Sequence, residues 1–168
     1  EVPVGFKYIS SKMNETNALI GGESSGGLAV RGHIKGKDGV YAATLLVEML
    51  AIIGKKLSQI MEEIHQEYGY YYTEEKDYHF DRDKKNEIVQ MVLVDKLIPE
   101  FPFEIRKISY LDGCKLYFKN GGWLVIRFSG TEPLLRIFCE MPEEGQTKVL
   151  SDIVEQFLGL QHEVCLKK

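Results

Sequence analysis

The chain has 168 residues, of which 44% are hydrophobic and 27% charged, a balance that excludes a disordered chain. At about 150 residues per domain, this length fits one domain or two small ones. The 21 Lys and Arg residues against 25 Asp and Glu give a net charge of −4, and no basic block indicates a nucleic-acid partner. No apolar run approaches the ~20 residues that cross a bilayer, so we expect no membrane partner.

The cysteines and the start of the sequence bear on its location. Cys114, Cys139 and Cys165 form no CxxC pair, so neither a disulfide framework nor a zinc site is indicated. Cys139 lies in an apolar run, where a small buried side chain is expected. The sequence begins without an initiator methionine or a signal peptide. We therefore expect a cytoplasmic location and residues that belong to something longer.

The first part of the chain alternates glycine-rich loops with helices. Residues 4–9 lead toward a helix, residues 18–20 predict a short buried strand, and residues 28–34 predict a second strand. Asp38 predicts the N-cap of a long helix from residue 39 to about residue 53. Because this helix is apolar nearly all round, we expect it to be buried on most sides.

From residue 81 the pattern predicts a small α+β domain. Asp83 is expected to cap a helix, and another helix ends the domain. Four strand candidates lie between the helices, at residues 105–110, 114–119, 123–128 and 134–141. Asp112-Gly113 and Asn120-Gly121-Gly122 are strong hairpin signals, so we expect a four-stranded antiparallel sheet flanked by helices. Residues 70–80 predict an extended connector before this domain.

The turn between the third and fourth of these strands carries more polar chemistry than a hairpin requires. Backbone N–H groups around Gly130 can form a concave nest that holds anions, and Ser129 and Thr131 add hydroxyl donors. Arg127 adds a planar guanidinium suited to phosphate, and Arg136 on the returning strand is placed to converge on the same oxygens. From the residues alone, an anion site and a Ser/Thr turn flanked by solvated arginines have equal weight.

Strand alternation predicts the face of the sheet on which Arg127 lies. Leu124, Ile126 and Phe128 face one way, so Arg127 faces the other way together with Trp123 and Val125. Arg127 therefore points away from the apolar face.

A second candidate site is the glycine-rich loop at residues 22–27, Gly-Glu-Ser-Ser-Gly-Gly. Glu23 and Ser25 stand two residues apart, so an extended backbone would direct both side chains to one side. A carboxylate beside a hydroxyl suits vicinal sugar hydroxyls. The loop is neither a GxGxxG fingerprint nor a P-loop, and from the residues alone a flexible glycine loop is the favoured interpretation.

The remaining charged side chains give weaker signals. Lys7 lies in an apolar stretch, so its ammonium group needs water or a partner. Glu74 and Glu75 predict a solvated acidic surface. The four histidines have no ligand spacing, and the sequence shows no convincing nucleophile, general base or metal cluster.

Four segments stand in a recognisable order and spacing: residues 4–9 (VGFKYI), 22–27 (GESSGG), 37–39 (KDG) and 127–133 (RFSGTEP). Together they resemble the C-terminal half of the α-D-phosphohexomutase family, which includes phosphoglucomutases and phosphomannomutases. The resemblance implies that residues 1–80 are the later part of an α/β third domain with a sugar-binding loop. It also implies that residues 81–168 are a small α+β fourth domain with a phosphate-binding loop.

The resemblance further implies an intramolecular phosphotransferase. Such an enzyme interconverts hexose 1-phosphate and hexose 6-phosphate through a phosphoserine and a bisphosphate intermediate. The positions that match the family's substrate-binding residues are Lys7, Glu23 and Ser25 for the sugar, and Arg127, Ser129, Gly130, Thr131 and, more loosely, Arg136 for the phosphate. Lys7 favours glucose over mannose, and glucosamine phosphate ranks third. Gly27 departs from relatives that have a histidine there.

The resemblance also sets what this chain is expected to lack. The family's phosphoserine loop and its Asp-rich magnesium loop do not occur in these residues. We therefore expect Mg²⁺ to be held outside them, hexose 1,6-bisphosphate to act as activator and intermediate, and the missing N-terminal domains to be partners. The chain alone is expected to be inactive. A non-catalytic phosphosugar- or anion-binding module and a purely structural domain are the alternatives.

Overall fold

The computed structural model describes residues 1–79, 81–129, 134–161 and 163–167, with only the backbone for residues 164–167. The chain divides into two units, Glu1–Tyr68 and Gly69–Lys168. The sequence placed this boundary near residue 80. The division falls earlier because residues 72–79 form a strand in the sheet of the second unit. Within the described residues, no helix has the length and apolar character needed to span a bilayer.

The first unit, all of whose residues are described, combines helices with a hairpin: α1 (Phe6–Thr16), β1 (Ile20–Gly22), β2 (Leu28–Val30), α2 (Gly39–Ile53) and α3 (Leu57–Tyr68). β1 and β2 pair antiparallel. Ile9 and Met13 of α1 form a small buried cluster with Ala29 of β2. Gly21 allows this contact, because a Cβ there would lie 2.6 Å from Cγ2 of Ile9. The hairpin therefore packs closely against α1.

The long helix α2 begins where the sequence predicted. The backbone N–H of Tyr41 donates to Oδ1 of Asp38 at 3.0 Å, which confirms the N-cap. Oδ2 of Asp38 lies 2.9 Å from Nε2 of His33, whose ring stacks on Tyr41 at 3.9 Å between centroids. The hydrogen bond from Tyr41 and then that of His33 lower the pKa of Asp38. His33 therefore contacts both the cap and the first turn of α2.

The expected burial of α2 and of residues 18–20 is wrong for this chain. None of the residues of α2, all of which are described, is buried. Val40 and Ile52 are 79% and 77% exposed, and Ile20 is 59% exposed. The buried cluster of this unit consists of α1 and β2 residues with Val2, Phe6 and Ala18 packed against it, and no side chain of α2 takes part.

The second unit is an antiparallel sheet with helices: β3 (Tyr72–His79), α4 (Arg82–Val89), a π-helical turn (Gln90–Val94), β4 (Ile105–Ser109), β5 (Cys114–Phe118), β6 (Trp123–Phe128), β7 (Leu134–Met141), α5 (Gln146–Leu158) and β8 (Val164–Lys167). The strand order is β4-β5-β6-β7-β3-β8, and every neighbouring pair is antiparallel. The four predicted strands are confirmed as a meander. The predicted number of four is too low, because β3 and β8 extend the sheet to six described strands.

Two local predictions in this unit are wrong. The expected connector is the strand β3, which pairs along its whole length with β7. The cap of α4 is Asp81 rather than Asp83, since the backbone N–H of Lys84 donates to Oδ1 of Asp81 at 2.8 Å. A carboxylate two residues earlier therefore satisfies the first turn of this helix.

The core of the second unit lies on one face of the sheet. Side chains from both helices pack there against alternate strand residues: Ile88, Val92, Leu150, Val154 and Leu158 against Leu116, Leu124, Ile126 and Ile137. Trp123, Val125 and Arg127 are half-exposed, whereas Leu124 and Ile126 are buried. The predicted alternation of β6 is therefore confirmed. Val149 of α5 is 41% exposed and takes no part in this core.

Candidate functional site

Two arginines face each other at the turn between β6 and β7. Arg127 in β6 pairs directly with Arg136 in β7. The backbone N–H of Ser129 donates to the carbonyl of Leu134 at 2.8 Å, which closes the turn beyond them. Like charges directly opposite each other destabilise a sheet. This pair therefore places two positive charges at the base of the turn, and their repulsion lowers the stability of the sheet.

A carboxylate holds each of these arginines on its outer side. Nε of Arg127 donates to Oδ2 of Asp112 at 3.0 Å, and Asp112 lies in the hairpin between β4 and β5. Nε of Arg136 lies 3.5 Å from Oδ1 of Asp77, which is its direct partner on β3. The order across the sheet is Asp112, Arg127, Arg136 and Asp77, a set we call the charge row. The two carboxylates offset the repulsion between the arginines.

The charge row is suited to binding an anion. Within the described residues, the contacts of Arg127 use only its Nε, so the two terminal nitrogens are available as donors. Its side chain is 18% exposed and that of Arg136 is 36% exposed. Two partly desolvated guanidinium groups on adjacent strands match the charge and the several oxygens of a phosphate group.

The structure covers the predicted turn residues only in part. Gly130 and Thr131 lie outside the described residues. The backbone N–H of Ser129 is used to close the turn, so this amide is not one of the free donors that the sequence suggested near Gly130. Among the described residues, the candidate anion site therefore consists of Arg127 and Arg136.

The glycine-rich loop is a tight turn between β1 and β2. The N–H of Gly26 donates to the carbonyl of Glu23 at 3.0 Å, and the N–H of Glu23 donates to the carbonyl of Gly27 at 2.9 Å. The expectation that an extended backbone directs Glu23 and Ser25 to one side is therefore wrong, because residues 23–26 reverse the chain direction.

Glu23 has a cationic partner that the sequence did not predict. Nζ of Lys37 lies 2.6 Å from Oε2 of Glu23, whose side chain is 17% exposed. Lys37 also lies 5.6 Å from the centre of the Phe6 ring. Lys7 is exposed on α1 with its Nζ 4.9 Å from the centre of the Tyr8 ring, and no contact joins Lys7 to Glu23 among the described residues. The structure thus pairs Glu23 with Lys37 rather than with Lys7 or Ser25.

A second polar cluster lies between β3 and α5. Nζ of Lys76 pairs with Oε1 of Glu155 and lies 3.6 Å from Oε1 of Glu74. The hydroxyl of Tyr78 donates to Oε1 of Glu155 at 2.6 Å, and the hydroxyl of Ser151 donates to Glu74. Burial alone would lower the pKa of Lys76, but Glu155 and Glu74 together raise it. The prediction that Glu74 is a solvated surface residue is wrong, because it helps to join α5 to the sheet.

Comparison with known proteins assigns both units. Residues 1–68 match the phosphoglucomutase/phosphomannomutase alpha/beta/alpha domain III, and residues 82–156 match the phosphoglucomutase/phosphomannomutase C-terminal domain. The fold is that of a mutase domain pair, an α/β unit followed by an α+β unit. The chain belongs to the α-D-phosphohexomutase family, as its motifs indicated.

Individual relatives agree with this assignment. The chain is 32% identical over 145 residues to a phosphoglucomutase/phosphomannomutase of Thermococcus kodakarensis, covering 86% of this chain and 29% of that protein. It is 28% identical over 160 residues to a phosphoglucosamine mutase of Carboxydothermus hydrogenoformans, covering 95% of this chain and 31% of that protein. A phosphoglucomutase/phosphomannomutase family protein from Burkholderia thailandensis has the same fold, with a TM-score of 0.70, 17% identity and coverage of 98% of this chain and 33% of that one. The chain thus spans about a third or less of each.

Proposed function

We propose that this chain supplies the sugar-binding and phosphate-binding loops of an enzyme that interconverts hexose 1-phosphate and hexose 6-phosphate. Membership in the family supports the class of reaction. The direct pairing of Arg127 with Arg136 at the base of the β6–β7 turn carries the proposal for this chain. Transfer through a bisphosphate requires a fixed attachment for the phosphate that is not reacting, and two guanidinium groups provide it without contacting the sugar.

The proposed roles follow the two loops. Arg127 and Arg136 bind the non-reacting phosphate, together with Ser129, Gly130 and Thr131. Glu23 accepts hydrogen bonds from sugar hydroxyls, together with Ser25 and Lys7. The pairing of Glu23 with Lys37 holds the carboxylate in place for this contact.

The proposed reaction moves one phosphoryl group at a time. A phosphoserine gives its phosphoryl group to a sugar hydroxyl, the resulting hexose 1,6-bisphosphate reorients, and its other phosphoryl group returns to the serine. Mg²⁺ supplies neutralisation of charge on the transferring group. The described residues contain no group of three or more His, Cys, Asp or Glu side chains that could hold a metal ion. As the resemblance implied, the proposal assigns Mg²⁺ and the phosphoserine to the N-terminal domains of such an enzyme.

The proposed substrates are glucose phosphate and mannose phosphate. Relatives of this chain are named both phosphoglucomutase/phosphomannomutase and phosphoglucosamine mutase. Lys7 favours glucose, as the resemblance implied. The cytoplasmic location of the protein stays a prediction. The alternative function is a non-catalytic phosphosugar- or anion-binding module, which would use the same charge row.

Titration of the 168-residue chain with inorganic phosphate and with glucose 1-phosphate tests the binding part of this proposal. We expect both ligands to shift the NMR signals of Arg127 and Ser129. Arg127→Ala should weaken both affinities by about 1.5–3 kcal/mol, the contribution of hydrogen bonds to a charged group. Arg106→Ala, which removes an exposed arginine from β4 of the same sheet, is the matched control and should leave both unchanged. Equal dissociation constants for the Arg127 variant and the unmodified chain would exclude the phosphate role.

An activity assay separates the enzyme from the binding module. We expect the chain alone to convert no glucose 1-phosphate. The same residues joined to a family N-terminal half that carries a phosphorylated serine should restore isomerisation. Binding of phosphate without any isomerisation by a folded, phosphorylated assembly would favour the non-catalytic module.

A further inference from the structure

We propose that Asp112 is a positioning residue that orients Arg127 for phosphate binding. This inference rests on the proposed function of Arg127 and names a residue outside the matching motif segments. Asp112 precedes Gly113 in the hairpin between β4 and β5, so it reaches Arg127 from a different part of the chain.

The backbone holds the hairpin against Arg127. Gly113 has φ +84°, and a Cβ there would lie 2.5 Å from the carbonyl oxygen of Ile126 and 3.1 Å from Cα of Arg127. Cys114 pairs directly with Ile126, so the start of β5 is in register with the end of β6. Only glycine combines this φ with this close approach. Asp112 is therefore placed at the level of Arg127 by the strand register and not by a flexible loop.

The contact uses the Nε side of the guanidinium group. Oδ2 of Asp112 accepts from Nε of Arg127 at 3.0 Å. A hydrogen bond at Nε restrains the plane of the group. Three of the four N–H donors on the terminal nitrogens then point away from Asp112, while the fourth lies parallel to the Nε–H. Among the described residues, these terminal nitrogens make no other contact. A guanidinium oriented in advance loses less side-chain freedom when it binds phosphate.

The structural alternative is a pair that only stabilises the hairpin. The two interpretations predict opposite signs for removal of the charge on Asp112. A carboxylate next to an anion site repels the anion, so its charge alone would make phosphate bind more tightly when Asp112 is neutralised. A positioning role predicts weaker binding, because a neutral acceptor holds Arg127 less firmly than a carboxylate does.

The test measures inorganic phosphate affinity of the 168-residue chain by NMR titration. Asp112→Asn replaces a charge-assisted hydrogen bond to Nε by a neutral one and is expected to weaken the affinity about fivefold. In the Arg127→Ala background the same change is expected to have no further effect. Glu100→Gln removes one exposed negative charge before β4 and should leave the affinity unchanged. Unchanged or tighter binding by Asp112→Asn, or an equal loss in the Arg127→Ala background, would overturn the inference.

A second variant covers the case in which Asp112→Asn does not fold. Asp112→Glu keeps the charge and moves the carboxylate by one methylene group. If Asp112 orients Arg127, this variant should bind phosphate more weakly; if only its charge matters, the phosphate affinity should not change. Unchanged affinity of this variant would overturn the inference. Failure of the proposed function looks different: the unmodified chain would then show no phosphate-dependent shift at Arg127, and Arg127→Ala would have no effect.

Discussion

Gly27 lies beside the ion pair between Glu23 and Lys37, so close that a side chain at residue 27 would shift these two. A Cβ at Gly27 would stand 2.9 Å from Oε2 of Glu23 and 3.1 Å from Cε of Lys37. The sequence drew attention to this glycine because some relatives have a histidine at its position. In this chain a side chain at residue 27 would have to displace the pair of Glu23 and Lys37.

Gly27→Ala should therefore weaken the binding of hexose phosphate without weakening that of inorganic phosphate. The added methyl group moves the Glu23 carboxylate, and the expected loss is about fivefold, or about 1 kcal/mol. Calorimetric titration of both ligands measures it. Gly36→Ala is the matched control in the same unit, because a Cβ at Gly36 meets nothing within 4 Å. An equal loss in the control, or equal losses for the two ligands, would contradict the role of Glu23.

Lys76 should make a measurable contribution to the stability of the second unit. It is 5% exposed and joins β3 to α5 through Glu155. Lys76→Met leaves two partly buried carboxylates without their cation, so the free energy of unfolding should fall by about 2 kcal/mol. Lys148→Met removes an exposed lysine from an ion pair on α5 and should cost less than about 0.5 kcal/mol. Urea denaturation of both variants measures the difference, and equal small losses would show that the cluster is not stabilising.

The same lysine predicts a dependence of stability on alkaline pH. The pKa of Lys76 in the folded chain is above its ordinary value of 10.5. The stabilisation is therefore fully present below pH 10.5 and is lost as the pH rises through the folded-state pKa. Between these values the unmodified chain should lose stability more steeply than Lys76→Met. Parallel pH profiles of the two proteins would contradict the ion pair.

The meander was predictable because its signals are local. Alternating apolar residues and two glycine turns define β4 to β7, and the structure has these strands within one residue of the predicted bounds. β3 was not predictable in this way, since its sequence YTEEKDYH contains charged residues on both faces. Its charges are compensated by residues distant in sequence, Glu155 for Lys76 and Arg136 for Asp77.

The candidate site likewise has features that the sequence predicts and features that it does not. The position of Arg127 on the half-exposed face of β6 followed from alternation alone, which the structure confirms. Its partner Asp112 did not, because the contact depends on the register between β5 and β6. Lys37 was noticed only as part of a matching segment, and its contact with Glu23 depends on how the chain folds between β2 and α2. A single sequence does not determine the register between strands or the contacts between residues that are distant in the chain.

Cys114 and Cys139, both buried, should resist thiol reagents in the folded chain. Burial raises the pKa of Cys139 to about 12 and also raises that of Cys114. At pH 8 about one Cys139 side chain in 10⁴ is then a thiolate, the reactive form. We expect maleimide labelling of both cysteines, mapped by peptide mass spectrometry, to proceed only through unfolding. Labelling in denaturant is the positive control, and rapid labelling of either residue in the native chain would contradict its burial.

Arg136 should contribute more to folding stability than Arg127, although both belong to the charge row. The carboxylate that faces Arg136 is Asp77, whose side chain is 5% exposed, whereas Asp112 beside Arg127 is 30% exposed. Water can replace Arg127 at Asp112, so Arg127→Met should lower the free energy of unfolding by less than about 1 kcal/mol. Arg136→Met removes a cation from a buried carboxylate and should cost about 2 kcal/mol or more. Thermal and urea unfolding of the two variants measure the contrast. If Arg127→Met proves the more destabilising of the two, the assignment of Asp77 as the more buried end of the row is wrong.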